Sequence, residues 1–215
     1  WQSFQLNLPE VPVTDIEWKE HDLVVATQGR GFWVLDDLTH LHHIQAGDER
    51  KDSLLHSPFV ATLGAERVER PRSQDAVRLR YWFSEAPDSS EVILRVLEND
   101  GDLIRSFSTK GERDERLEVG AGVNTFYWNM RYPDAESFDG LIMWAGSVRG
   151  PLAVPGTYRA RLVVGDDSTE VPFEIAPDPR SESTIADLQE QFDFLIGIRD
   201  KLSEIHLGIK RIRQV

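Results

Sequence analysis

The run Leu23-Val24-Val25-Ala26-Thr27, Gln28-Gly29-Arg30-Gly31, Phe32-Trp33-Val34-Leu35 sets two apolar β segments on either side of a glycine-bearing turn. Two such runs about four residues apart predict a β-hairpin. Both segments are apolar on both faces, as in a strand buried between neighbouring sheets. A hairpin of this kind is not stable alone in water and needs sheet on each side of it. Upstream, Val11 to Trp18 alternates moderately, and His21-Asp22 is a turn. Residues 1–57 therefore read as short strands and turns.

Beyond the hairpin, residues 58–75 read as a linker, with Pro58, Pro71 and the charged run Glu66-Arg67-Val68-Glu69-Arg70. Residues 76–176 then hold about seven β runs: Val77–Phe83, Val92–Glu98, Leu103–Ser108, Glu115–Val119, Val123–Met130, Gly156–Val164 and Thr169–Ile175. Asn99-Asp100-Gly101-Asp102 and Gly165-Asp166-Asp167 are hairpin turns between them. Seven short strands in about 100 residues predict an Ig-like β-sandwich. With no cysteine pair available, its core falls to aromatics such as Trp82, Phe126, Trp128, Tyr158 and Phe173. One connection stands apart. Tyr132 to Pro155 runs for about two dozen residues without a strand pattern, a length that is either functional or packed on another element.

Residues 177–215 carry a C-terminal helix, starting near 181. Thr184 is the expected N-cap, with Asp187 three residues later as in a capping box. Leu188, Phe192, Leu195, Ile198, Leu202, Ile205, Ile209 and Ile212 follow at spacings of three and four, predicting one apolar stripe. Lys210, Arg211 and Arg213 sit where the helix dipole favours cations. At 1.5 Å per residue the helix is roughly 45 Å long. That exceeds what a small sandwich covers, so the stripe either packs internally or pairs with a second helix, downstream or from another copy.

Composition narrows the function. Of 215 residues, 24 are Lys or Arg and 37 are Asp or Glu, a formal charge of −13. Phosphate would be repelled, so no nucleic-acid partner is expected. The apolar fraction of 40% is ordinary for a chain that buries a core. No apolar run approaches 18 residues, so no membrane span is expected. The absence of cysteine removes disulfides, thiolate catalysis and Cys-ligated zinc. The chain opens at Trp1 with no leader pattern, which reads as a piece of a longer protein.

Each motif that could carry chemistry has a plainer reading. Asp36-Asp37 is an adjacent pair at a strand end, whereas a glycosidase needs two carboxylates flanking one bond. Neighbours on a strand point to opposite faces, so this pair reads as a turn. His40, His42 and His43 crowd a loop without the converging spacings zinc requires. Gly29-x-Gly31 lacks the third glycine and the following helix of a dinucleotide fingerprint. Asn99 to Asp102 is too short for a calcium loop and lies between strands. No Ser–His–Asp set and no acid/base pair can be placed, so the sequence assigns no catalytic residue, no metal ligand and no cofactor. Two surfaces remain as candidates for interaction. One is Leu141-Ile142-Met143-Trp144 in the long connection, flanked by Arg131 and Arg149, which either binds a partner or tucks against the sheet or the helix. The other is the helix stripe, above all Leu202, Ile205, Ile209 and Ile212.

Several of these strings together resemble the C-terminal region of bacterial sortilin-like β-propeller proteins, commonly labelled glycosyl hydrolase-like with neuraminidase-type repeats. Trp1-Gln2-Ser3-Phe4 followed by Leu8-Pro9 is similar to the end of an Asp-box, of which only the closing Trp is present. Val24 to Asp37 looks like a final-blade sequence. Phe126-Tyr127-Trp128-Asn129-Met130-Arg131-Tyr132-Pro133, Arg149-Gly150-Pro151 and Val154-Pro155-Gly156-Thr157-Tyr158 resemble the segments that follow it. So does Asp178-Pro179-Arg180 leading into Leu188-Gln189-Glu190-Gln191-Phe192. The likeness covers nearly the whole chain and its motifs are architectural. It implies a remnant of the last blade over 1–57, an Ig-like domain and a helical tail, in a secreted or periplasmic protein. It also implies a non-catalytic module for scaffolding, protein–protein contact or assembly. The alternatives are a fragment of a sialidase-like glycoside hydrolase whose site lies on absent blades, and a homodimerising interaction domain. The expected partner is another protein or a second copy of this chain, through the helix.

Overall fold

A computed structural model of the chain describes residues 5–19, 21–35, 38, 41, 53–58, 60–63, 76–87 and 91–213. The protein is mainly β with one long helix near its C-terminus among the described residues, in two compact units, Trp1–Asp52 and Ser53–Val215.

The first unit is a three-stranded antiparallel sheet in the order β1 (Val13–Lys19), β2 (Asp22–Thr27), β3 (Gly31–Leu35). The expected hairpin is the β2–β3 pair, with Val25 opposite Trp33 and Thr27 opposite Gly31. Gly29 and Gly31 take φ of +78° and +74°, a conformation that glycine reaches without a Cβ clash, so this Gly-x-Gly is a turn. β1 covers one edge of β2. The faces stay largely open: Ile16, Trp18 and Val34 are exposed, and Phe32 is 79% exposed. Trp1 to Phe4, Asp36, Asp37, His40, His42 and His43 lie outside the described residues.

The second unit has two sheets. One holds five strands in the order β5 (Ala61–Thr62), β11 (Asp167–Ala176), β10 (Gly156–Val164), β7 (Val92–Glu98), β8 (Leu103–Ser108). The other holds β4 (Ser53–Leu55), β6 (Val77–Phe83) and β9 (Gly122–Trp128). Strict alternation in β6 sends Val77, Leu79, Tyr81 and Phe83 inward. They meet Val92, Leu94 and Val96 of β7 and Ala160 and Leu162 of β10 in one core shared by both sheets. Trp128 is its largest side chain, edge-on to Tyr158 and Phe173, and its indole N–H donates to the carbonyl of Arg131 at 3.1 Å. Trp82 and Phe126, expected alongside them, are only half-buried.

Three expected boundaries move. Ser53–Leu55 pairs with β6, so this segment belongs to the second unit rather than to an N-terminal piece ending at 57. Ala61–Thr62, inside the expected 58–75 linker, runs parallel to β11 as an edge strand; residues 64–75 lie outside the described residues. The strand expected over Glu115–Val119 is instead a single 3-10 turn, Arg113–Glu115, then an isolated bridge from Arg116 to Ser108. Of that charged run only Leu117 enters the core, which is too little apolar surface to hold a ladder.

Helix α1 spans Ile185–Arg213. Its start is the expected capping box. The Thr184 hydroxyl accepts from the Asp187 N–H at 3.2 Å, and the Asp187 carboxylate accepts from the Thr184 N–H at 2.8 Å. The Thr184 hydroxyl, which also donates to the Asp187 carboxylate at 2.7 Å, and then the Thr184 N–H hold the Asp187 carboxyl below its ordinary value. The helix contributes no side chain to the core of the sheets.

Candidate interaction surface

The long connection after β9 is built from its base outward. Met130 takes φ of +55° and turns the chain out of β9. The Tyr132 N–H then donates to Pro151, Ala135 to Val148 and Ala153 to Met130, so residues 130–135 and 148–153 run side by side. Arg131 donates from Nη1 to the Gly150 carbonyl at 2.8 Å, and Asp134 accepts from the Gly150 N–H at 2.9 Å. Burial, then the like charge of Arg149, pushes the Arg131 guanidinium below its ordinary value, and Asp134 offsets part of this. Arg131 is thus spent on closing the loop. Gly150 sits in the tightest place: a Cβ there would lie 2.2 Å from the Tyr132 carbonyl oxygen.

Residues 132–139 form a strap that holds the helix. The Tyr132 ring meets Phe192 edge-on at 4.7 Å, and its hydroxyl donates to Glu98 of β7 at 2.5 Å. Arg199 donates to the Pro133 carbonyl at 2.9 Å, and the Glu136 N–H donates to the Ser203 hydroxyl at 3.1 Å. His206, buried, sets Nδ1 against the Glu136 carbonyl and its ring edge against Phe138. Lys210 pairs with the Glu136 carboxylate at 2.7 Å. Arg213 lies over the Phe138 ring and donates to the Asp139 carbonyl.

The inward face of the helix is therefore Phe192, Arg199, Ser203, His206 and Lys210, with Leu188 and Ile196 half-buried on the same side. The expected stripe divides between the two readings it allowed. Leu188 and Phe192 lie on the packed side, but Leu195, Ile198, Ile205 and Ile212 face solvent, and Leu202 and Ile209 are half-buried. Ile205 is 51% exposed and Phe194 69%. The physical reason is polar: carbonyls of the strap need donors, and side chains with N–H or O–H groups supply them. Hydropathy periodicity gave no weight to those residues. Their own spacing, 199, 203, 206, 210 and 213, follows the same three-and-four rule and is the signal that would have found them.

In the loop tip, Leu141 and Met143 are half-buried, whereas Ile142 is 74% and Trp144 95% exposed. The expected tuck thus divides: residues 132–139 pack on the helix and the tip projects Ile142 and Trp144. Among the described residues no three His, Asp or Glu side chains converge as a metal site requires. Asn99 to Asp102 is the β7–β8 hairpin turn, with Gly101 at φ of +104° and the Asp102 N–H on the Asp100 carboxylate. No described helix is long and apolar enough to cross a membrane.

No family model matches this sequence, and no curated protein matches it. Among solved structures, CopC from Methylosinus trichosporium OB3b is similar over 60% of this chain and 98% of that one, at 14% identity and a TM-score of 0.29. A superposition that distant carries no conclusion about function.

Proposed function

We propose that this chain is a non-catalytic contact module, in which a β core presents one face of a long helix for protein–protein assembly. One observation carries the reading: the strap grips the helix largely by polar side chains and leaves Phe194, Leu195, Ile198, Ile205 and Ile212 outward. An exposed apolar surface of this length marks an interaction site in a soluble fold. On this reading the two-sheet unit is the Ig-like sandwich and the three-stranded unit the remnant of a propeller blade. Both assignments, and an exported location, rest on the sequence likeness to sortilin-like propeller proteins.

Paired substitutions on the two faces test the reading. Phe192→Asp, inward, should cost about 2–4 kcal/mol in urea unfolding, as a charge placed in a packed seam does. Ile205→Asp, outward, should cost under about 0.5 kcal/mol at dilute protein. Equal costs would mean that the outward stripe belongs to the fold, and the reading fails. It also fails if the chain turns over an aryl glycoside and one carboxylate substitution abolishes the turnover.

A further inference from the structure

We infer that the outward stripe of α1 is the seam of a homodimer in which two copies of the helix lie antiparallel along their full length. The inference rests on the contact-module reading and names its partner. Leu195, Ile198, Leu202, Ile205, Ile209 and Ile212 alternate at three and four residues, the a/d pattern of a paired helix. That pattern could serve many partners, and two further features select a second copy in reversed direction.

The first is charge. Ile185 to Asp200 carries Asp187, Glu190, Asp193 and Asp200 against Arg199, a net of −3. Lys201 to Arg213 carries Lys201, Lys210, Arg211 and Arg213 against Glu204, and with Lys210 already paired to Glu136 of the strap the net left for a partner is +2, histidine not counted. A parallel pair sets like halves together, whereas an antiparallel pair sets each acidic half on a basic one. The second is shape. Overlaying the helix on its reversed copy, centred on position 200, puts Leu195 opposite Ile205 and Ile198 opposite Leu202. The same register brings the exposed ring of Phe194 within two residues, roughly 3 Å along the axis, of Gly208 of the other copy, where a Cβ would meet nothing within 4 Å. A large outward aromatic thus meets an open glycine, twice by symmetry. One like-charged pair results, Lys201 beside its own mate. Each Lys201 already holds Glu204 of its own helix at 2.5 Å, which neutralises it.

The test uses the whole chain. Sedimentation equilibrium should show a dimer within about 1–100 µM, the range of a modest interface. Ile198→Asp and Ile205→Asp should each shift it to monomer with unchanged circular dichroism. Because the chain has no cysteine, a single introduced one reports geometry and leaves the seam intact. Lys201→Cys should form an inter-chain disulfide under mild oxidation. Gln191→Cys, exposed and seven residues before Ile198, should not, since the two positions are about 27 Å apart in an antiparallel pair. Self-linking through Gln191→Cys would show a parallel pair and overturn the inference. So would a dimer that survives both Asp variants, or a chain that stays monomeric throughout. A monomer in which Ile205→Asp leaves stability unchanged sinks the homodimer alone. A monomer that Ile205→Asp unfolds sinks the contact module as well.

Discussion

Raising the pH above 10 should destabilise this protein through its tyrosines. The chain has four, and three of them are shielded from water. Tyr81 is 1% exposed on β6, Tyr158 is buried on β10, and Tyr132 is half-buried beneath the helix. Burial pushes all three phenols up. For Tyr158 the nearby Glu98 carboxylate adds to the effect and the Val154 carbonyl opposes it, giving about 12. Burial alone raises Tyr81, and for Tyr132 the bond to Glu98 raises it further. In the unfolded chain each ionises near 10. A raised folded value means stability that is whole below about pH 10 and lost as the pH climbs toward the folded value. At pH 11 an unfolded phenol has gained about 1.4 kcal/mol by ionising that a folded one with a value near 12 has not. Tyr81 and Tyr158 together lose nearly 3 kcal/mol, and Tyr132, more accessible, somewhat less than a third such share. The total is on the order of 3–4 kcal/mol, a large part of what a domain this size has. Urea unfolding at pH 9, 10 and 11, read by tryptophan fluorescence, measures it. The growing negative charge also destabilises the fold, so the decisive comparison is with Tyr158→Phe. That variant loses the 2.6 Å bond to Val154 and about 1 kcal/mol at neutral pH, but its alkaline loss should be smaller by about 1.4 kcal/mol. Phenolate absorbance showing all four tyrosines ionising together near pH 10, with the fold intact, would refute the reasoning.

Three further outcomes follow from local geometry. Thr184→Ala removes the reciprocal cap and should cost about 1 kcal/mol in thermal or urea unfolding. With Asp187 held below its ordinary value, the Asp187 share of the cap is present above about pH 4 and should vanish as acid protonates it through that lower value. Gly150→Ala drives a Cβ into the Tyr132 and Pro133 carbonyls and should cost at least 1–3 kcal/mol, with loss of hydrogen-exchange protection at Tyr132 and Ala135. Gly197→Ala fills open space on the helix and should stabilise by roughly 0.5–1 kcal/mol, seen as a higher melting temperature.

Alternation is enough to place β6 to the residue, because one face of it is dry and the pattern has nowhere to slip, and the turns on either side bound β7, β8 and β10. Asp100-Gly101 marked its hairpin for the same local reason, a left-handed φ. Where the chain is held by a few long-range bonds, the pattern was silent. β4 and β5 are three and two residues long, and nothing local distinguishes them from linker. β9 reads as if it ran to Met130, but Met130 turns left-handed and the strand stops at Trp128. The helix is legible only in part. Its existence, cap and span were legible, but its inward face was not. That face is chosen by carbonyls of residues 133 to 139, whose positions depend on a loop closed by Arg131 and Gly150.

The inversion of the helix bears directly on what the protein does. A surface helix ordinarily buries its apolar stripe and shows its polar side. Here the packed side mixes Leu188, Phe192 and Ile196 with Arg199, Ser203, His206 and Lys210, and the side in water carries Ile198, Ile205 and Ile212. A two-sheet core that needed the helix only for stability would gain more by turning it, because leucines and isoleucines yield more on burial than hydroxyls and amines do. The strap prevents that rotation: its polar bonds would have to break, leaving carbonyls of Pro133, Glu136 and Asp139 and the Glu136 N–H without these partners. The arrangement is therefore costly to the isolated chain and favourable once the stripe is covered. The separate three-stranded unit shows the same condition in another form, with Phe32 and Trp18 open on opposite faces of one sheet. Both units expose apolar side chains of the kind a finished core hides, and the contact-module proposal accounts for both.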